Sequence, residues 1–151
     1  MRHRNNIKQL GKTDSHRKAM FRNMATSLFL NERVVTTKQK GKELKRISEK
    51  IITRAKKNID LTDNEIEKKL HNKRMVMRII KDRDVVKKLF GDIAFRFVDR
   101  NGGYTRLYHL GRRAGDAAEM VLVELVEKKK PKEDTEKTKS VKEKIKKKKN
   151  K

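Results

Sequence analysis

The chain has 151 residues, a length that suits one domain, and its 44 Lys+Arg against 20 Asp+Glu give a formal net charge of +24. A charge this large opposes compaction, so a polyanion is the expected partner: nucleic acid first, an anionic membrane surface as the alternative. The chain contains no cysteine, which excludes disulfides, thiolate zinc sites and a cysteine nucleophile and agrees with a reducing cytoplasm.

The first element is a basic arm, residues 1–13. Besides Met1, its only large apolar side chains are Ile7 and Leu10, too few to form a helix or strand face. An arm that cannot bury itself loses more conformational entropy on ordering than its own contacts return. We therefore expect the arm to take its order from a partner.

Two helices and a short strand follow. Apolar residues recur at three- and four-residue spacing from Ser15, and they are Ala19, Met20, Met24, Ala25 and Leu28, with Phe21 and Phe29 beside them. Lys18 and Arg22 lie off this stripe, so the first helix has one face for a core and another for a polyanion. The β-branched run 33–37 predicts a strand, and a second helical period begins at Lys38.

The middle of the chain predicts further helices. Thr62 and Glu65 form a capping box, the start signal of a helix that would use Ile66 and Leu70 as its apolar face. A shorter helix follows and is expected to end at Gly91. The stretch 93–98 is ambiguous between a helical turn and a strand.

Two more strands are predicted before residue 128. The Asn-Gly-Gly sequence at 101–103 indicates a turn, 104–110 a strand and 111–116 a loop. The nearly continuous apolar run 120–126 is typical of a central strand covered on both faces. The expected fold class is therefore α/β (α+β), a small three-stranded mixed sheet packed by about four helices.

Charge divides the chain into three parts. Residues 1–57 carry a net +13, residues 58–127 a net +2 and residues 128–151 a net +9. The binding surface should therefore lie mainly in the first third. Residues 128–151 are mostly Lys, Glu, Thr and Ser, which predicts a disordered Lys-rich tail after an α/β domain of residues 1–127.

Catalysis is not expected. The four histidines show no metal-ligand spacing, and Gly102-Gly103 lacks the Lys-Ser/Thr that follows a phosphate-binding loop. No cofactor, no metal and no small-molecule substrate are expected either.

Basic residues of the first third have few acids among them, unlike those of an ordinary solvated surface. Arginine binds phosphate bidentately, which makes the pattern typical of a phosphate-contacting set. The Arg112-Arg113 pair suits phosphate contact and simple solvation about equally. Tyr104 and Tyr108 are expected on the same side of their strand, with sheet packing favoured over base stacking.

Several blocks of this sequence resemble one known family. They are the MRH start, SHRKAMFRNMATSLFLNERVVTT (15–37), KELK (42–45), KKLFGDIAFRF (87–97) and NGGYTRLYHLGRRAGDAAEMVLVELVE (101–127). In this order they resemble the bacterial large-subunit ribosomal protein seventeen family. The resemblance implies a structural protein of the large ribosomal subunit in the cytoplasm, bound to large-subunit ribosomal RNA near the peptide exit side, beside neighbouring large-subunit proteins.

The RNA-binding residues predicted from charge pattern and resemblance together come from the arm, the first two helices and the last part of the chain. They are Arg2, His3, Arg4, Lys8, Lys12, His16, Arg17, Lys18, Arg22, Lys38, Lys40, Lys42, Arg106, Arg112 and Arg113.

Two other partners fit the charge. A membrane could take the basic, amphipathic first helix, but the strand and helices after it offer its apolar face a protein core, so no membrane partner is expected. A DNA-compacting nucleoid protein would be equally basic, yet it would be expected to carry a dimer interface or a groove-reading helix, and neither is visible in the sequence.

Overall fold

The computed structural model describes residues 8–59, 61 and 65–127 of the chain. The elements in chain order are α1 (Asp14–Asn31), β1 (Arg33–Thr37), α2 (Lys38–Lys56), α3 (Ile66–Met77), α4 (Arg83–Lys88), a π-helical turn (Leu89–Ile93), α5 (Ala94–Arg96), β2 (Thr105–Arg112) and β3 (Glu119–Leu125). Residues 1–7 of the arm and the Lys-rich segment 128–151 lie outside the described residues. An α+β fold with a three-stranded sheet and helices is confirmed.

Helix α1 buries a stripe at helical spacing, which consists of Phe21, Ala25, Leu28 and Phe29. Ala19, which the sequence placed in the stripe, is exposed. The helix ends at Asn31, and the next residue, Glu32, has a φ of 61° that turns the chain directly into β1. The core-facing helix expected from the sequence is therefore present, with its stripe rotated toward the phenylalanines.

Helix α2 lies close against the sheet because of a glycine. A Cβ placed on Gly41 would lie 2.6 Å from Cγ2 of Val121 and 3.3 Å from Cγ2 of Val123. The helix buries Leu44, Ile51 and Ala55, and its backbone approaches the sheet at the one position without a side chain.

The three strands are in the order β1-β3-β2, and both pairings are antiparallel. The expectation of a mixed sheet is thus wrong. Strands β1 and β2 do run parallel to each other, joined by a helical crossover, but β3 is inserted between them. Since β3 follows β2 after a short loop, it returns antiparallel, and no two parallel strands are neighbours.

Among the described residues, helices cover one face of this sheet and leave the other uncovered. Along β3, Val121, Val123 and Leu125 are buried, while Met120, Leu122 and Glu124 are half-buried. Strand β3 is central, as expected, but the prediction that both of its faces are covered is wrong. The other face, here called the open sheet face, is formed by the cross-strand rows 33–124–106 and 35–122–108 and by the pair 37–120.

The helices between α2 and β2 differ from expectation in two places. Ile66 and Leu70 are exposed, because α3 packs through Val76 at its far end and through Asn72, whose Nδ2 donates to Oδ1 of Asn58 at 2.8 Å. Glu65 precedes α3 instead of lying in its first turn, and Thr62 lies outside the described residues. Gly91 does not end a helix: the chain continues through the π-helical turn into α5, so segment 93–98 begins as a helix.

Candidate nucleic-acid interface

The outer face of α1 presents cations that are partly neutralised by one acid. Lys18 and Arg22 are exposed and Arg17 is half-buried. Asp14 accepts hydrogen bonds from Arg17 and from Nζ of Lys18, the latter at 2.5 Å. The hydrogen bond from Lys18 is the main reason that the pKa of Asp14 is lowered. Arg17 and Lys18 are thereby held on one turn of the helix, and Arg22 lies one turn further on.

The end of the arm contacts its own domain. Nζ of Lys8 donates to Oε1 of Gln39 at 2.9 Å, and Nζ of Lys12 lies 3.4 Å from Nε2 of His16. Leu10 and Gly11 both have positive φ, which turns the chain between these contacts. Residues 8–12 thus have contacts within the protein, and the expectation that the arm takes its order from a partner stays a prediction.

These contacts place the end of the arm beside the start of α2, where Lys38, Lys40 and Lys42 follow one another at alternate positions. Lys42 is exposed and Lys40 is half-buried. The structure therefore brings the described cations of the arm and those of α2 into one region. Arg2, His3 and Arg4 lie outside the described residues, and their contact with RNA stays a prediction.

Two further predicted cations, like Arg17 and Lys18, are already paired with acids of the protein. Nζ of Lys38 lies 2.6 Å from Oε2 of Glu119, and this hydrogen bond lowers the pKa of that glutamate. Arg113 donates from Nε and Nη2 to the two oxygens of Asp116 at 2.9 and 2.6 Å, and these bonds hold the pKa of Asp116 well below its usual range. A phosphate would have to compete with these carboxylates.

Arg106 and Arg112 project from β2 and are exposed. The predicted loop at 111–116 starts later than expected, because Gly111 and Arg112 still pair with β3. A register shift between His109 and Gly111 accommodates the positive φ of Gly111. The two arginines therefore belong to strand β2 and not to a loop.

Further cations lie in concave surfaces that the sequence analysis did not select. One concavity lies between α1 and residues 79–82, where Lys81, which was not predicted, lies with the predicted Arg22 and with the acid Asp82. Another, of about 660 Å³, lies between α2 and α3 and is lined by Lys50, Arg54 and Lys57 among others. Lys50, Arg54 and Lys57 could have been predicted as a group from the sequence, because their spacing of four and three residues puts all three on one helix face.

The two tyrosines do not share a side of the sheet, so that expectation is wrong. Tyr104 precedes β2, and its ring is buried edge-on against Phe97, with centroids 5.2 Å apart and Nζ of Lys56 5.5 Å from the ring centroid. Tyr108 lies within β2 on the open sheet face and is 43% exposed. Sheet packing is right for Tyr104 alone.

Within the part of the chain that the structure describes, no helix is long and apolar enough to cross a membrane.

Comparison with known proteins identifies relatives along most of the chain. The family described as "Ribosomal protein L17" matches residues 20–126. A protein of Desulfotalea psychrophila named "Large ribosomal subunit protein bL17" is 51% identical over 126 residues, which cover 83% of this chain and 90% of the relative. A protein of the same name from Trichlorobacter lovleyi is 48% identical over 131 residues, 87% of this chain and 98% of the relative.

Proposed function

Because this chain belongs to the ribosomal protein L17 family, we propose that it is a structural constituent of the large ribosomal subunit, located in the cytoplasm, and supports translation by binding large-subunit ribosomal RNA. Its role is structural and not catalytic, and its further partners are neighbouring large-subunit proteins. The relatives that match nearly from end to end carry the name of a large-subunit protein.

The proposal of RNA binding is supported mainly by the cationic region that α1, the end of the arm and the start of α2 form together. Lys18, Arg22 and Lys42 are exposed there, on elements whose other sides form the core. Residues 1–57, which include this region, carry a net +13, whereas residues 58–127 carry only +2. A charge gathered on one third of the chain is typical of a surface that follows a phosphate backbone.

The helical geometry of RNA determines which of its groups such a surface can contact. An A-form duplex hides its base edges in a deep, narrow groove, so cations on a helix contact backbone and shape more than sequence. Each Lys or Arg that neutralises a phosphate releases condensed counterions, and this release favours binding at low salt. Binding to RNA also supplies the free energy that orders the first residues of the arm.

Co-sedimentation with large subunits is the direct test. We expect the full chain to migrate with large subunits in sucrose gradients at high salt. Affinity for naked ribosomal RNA should fall by about a thousandfold or more between 50 and 200 mM salt if roughly six to ten phosphates are contacted. A nearly flat salt response, or binding to DNA in preference to large subunits, would contradict the proposal and favour a nucleoid protein.

A matched pair of variants locates the surface. Lys18, Arg22 and Lys42 changed together to Ala should reduce incorporation into large subunits. Lys68, Lys73 and Lys87 changed to Ala remove the same charge from exposed positions of α3 and α4, and should leave incorporation near that of the unchanged protein. Equal losses in both variants would show that net charge alone, and not this surface, drives binding.

A further inference from the structure

The open sheet face has an apolar middle and a cationic end. Val35, Leu122 and Tyr108 form one cross-strand row, with the central Leu122 half-buried and the two edge residues exposed. Arg33, Glu124 and Arg106 form the next row along the strands. Neighbouring residues in such a row are about 5 Å apart at Cβ, so each row is a continuous surface.

Tyr108 is the one aromatic residue on this face within the described residues. Its ring is 43% exposed, and Val35 at the other end of the same row is 56% exposed. Arg106 precedes Tyr108 by two residues, about 7 Å along the strand, and Arg33 lies across β3 from it. An exposed ring therefore lies one step along β2 from the exposed Arg106, and the exposed Arg33 lies in the same row as Arg106, two strands away.

We propose that Tyr108 stacks on an unpaired base of ribosomal RNA, and that Arg106 and Arg33 bind the phosphates next to that base. The inference rests on the proposed function and goes beyond it, because it assigns single-stranded RNA to a second surface that carries none of the α1 cations. Val35 and Leu122 form the apolar floor beside the stacked base.

The charges on this face favour RNA over a protein segment. The face carries two cations, Arg33 and Arg106, against one acid, Glu124, which lies between them on β3. The face thus offers two guanidinium groups in the row next to the apolar one. A flat π surface accepts any base because every base has a π face, and stacking on sheet aromatics is a common way to hold unpaired RNA.

Base stacking predicts a different response for each kind of RNA. With the full chain and a short single-stranded RNA of mixed sequence, Tyr108→Thr should lower affinity by about tenfold, since it removes the ring and keeps strand propensity. Tyr108→Phe should bind like the unchanged protein. Affinity for a blunt duplex of the same sequence should be unaffected in both, because a paired base is not available for stacking.

Tyrosine fluorescence gives an independent readout. The chain has two tyrosines and no tryptophan, and Tyr104 is buried. Quenching on addition of the single strand should therefore report Tyr108, and it should disappear in Tyr108→Leu, which keeps apolar bulk without a π face. This variant also serves if Tyr108→Thr does not fold.

Phe95→Ala is the matched control, because Phe95 is an aromatic residue of similar exposure (56%) on α5, away from the sheet. Unchanged single-strand affinity in both Tyr108→Thr and Tyr108→Leu, or an equal loss in Phe95→Ala, would overturn the inference. So would loss of a neighbouring protein from assembled subunits with RNA affinity intact, since the face would then be a protein contact. None of these results bears on RNA binding by α1. That binding is tested separately by the affinity for duplex RNA and by the variant in which Lys18, Arg22 and Lys42 are changed to Ala.

Discussion

Glu32 connects three segments that are far apart in the sequence. Its carboxylate accepts hydrogen bonds from both Nη1 and Nη2 of Arg96 at 2.9 Å, and Nζ of Lys88 lies 2.9 Å from Oε1. Its backbone oxygen accepts a bond from the Leu125 amide at 3.0 Å. One residue thereby ties the end of α1 to α4, α5 and the end of β3.

Protonation should break this connection. Burial of the Glu32 carboxylate acts to raise its pKa, but the hydrogen bonds from Arg96 and Lys88 outweigh burial and lower the pKa from 4.5 to about 2. Because the folded state holds the carboxylate ionised, the contribution to stability is complete above pH 4.5 and is lost as the pH falls toward 2.

We therefore expect Glu32→Gln to destabilise the domain at pH 7 by about 1–3 kcal/mol, the upper end being the full value of the pKa shift. The difference from the unchanged protein in urea unfolding should narrow as the pH is lowered from 5 to about 2.5, since the unchanged protein then loses the same charge. Glu67→Gln, at an exposed position of α3, is the control and should change little. A difference that stayed constant with pH would show that packing, not charge, is responsible.

Helix α2 and strand β3 are joined at a contact that leaves no room for a methyl group. Gly41 faces Val121, which is fully buried in the core. A glycine inside a helix costs about 1 kcal/mol relative to alanine, so its use here trades helix propensity for close packing against the sheet. Residue choice on one element thus depends on the side chain of another.

Gly41→Ala should consequently lower the free energy of unfolding by about 1 kcal/mol, because overpacking exceeds the gain in helix propensity. Val121→Ala alone should cost about 2 kcal/mol through the cavity it leaves. Together the two changes should cost less than their sum by about 1 kcal/mol or more, since the new methyl group occupies the vacated space. Chemical unfolding of the four proteins measures this coupling, and additive effects would show that the helix moves away from the sheet instead.

Glu127, the last of the described residues, is bound to the rest of the domain by two arginines. The backbone oxygen of Glu127 accepts a bond from Nη1 of Arg96 at 2.7 Å, and its carboxylate accepts one from Nη2 of Arg100 at 3.1 Å. Residues 128–151, by contrast, contain 13 lysines, no arginine and four acids. Lysine is a strongly hydrated point charge, which suits diffuse attraction to RNA better than a fixed phosphate site.

A protein ending at Glu127 should therefore fold with an unchanged melting temperature, bind ribosomal RNA and enter large subunits. It should lose affinity mainly at low salt, where the tail's net charge of +9 acts at a distance. Thermal unfolding and subunit incorporation at physiological salt measure this. Failure of the shortened protein to assemble would mean that the tail is a specific binding element.

Part of the cationic surface was readable from the sequence. Lys18 and Arg22 could be placed opposite the core because both the apolar stripe and the charges repeat with the period of one helix. The ion pair between Lys38 and Glu119 could not be predicted from the sequence, since the two residues are 81 positions apart and meet only when β3 lies beside β1. The same holds for Tyr104 and Tyr108, whose separation depends on where β2 begins.

The sequence by itself determined the features that depend on neighbours along the chain: helices α1 and α2, the three strands, the uneven charge and the family. These follow from local periodicity and composition, which survive without knowledge of the fold. Only the tertiary structure decided the features that depend on distant neighbours. It placed β3 between β1 and β2, left one sheet face uncovered by the described helices around Tyr108, left Ile66 and Leu70 outside the core, and brought Glu32 to Arg96. Burial and pairing are properties of which elements meet, and that is settled by packing the whole chain around one core.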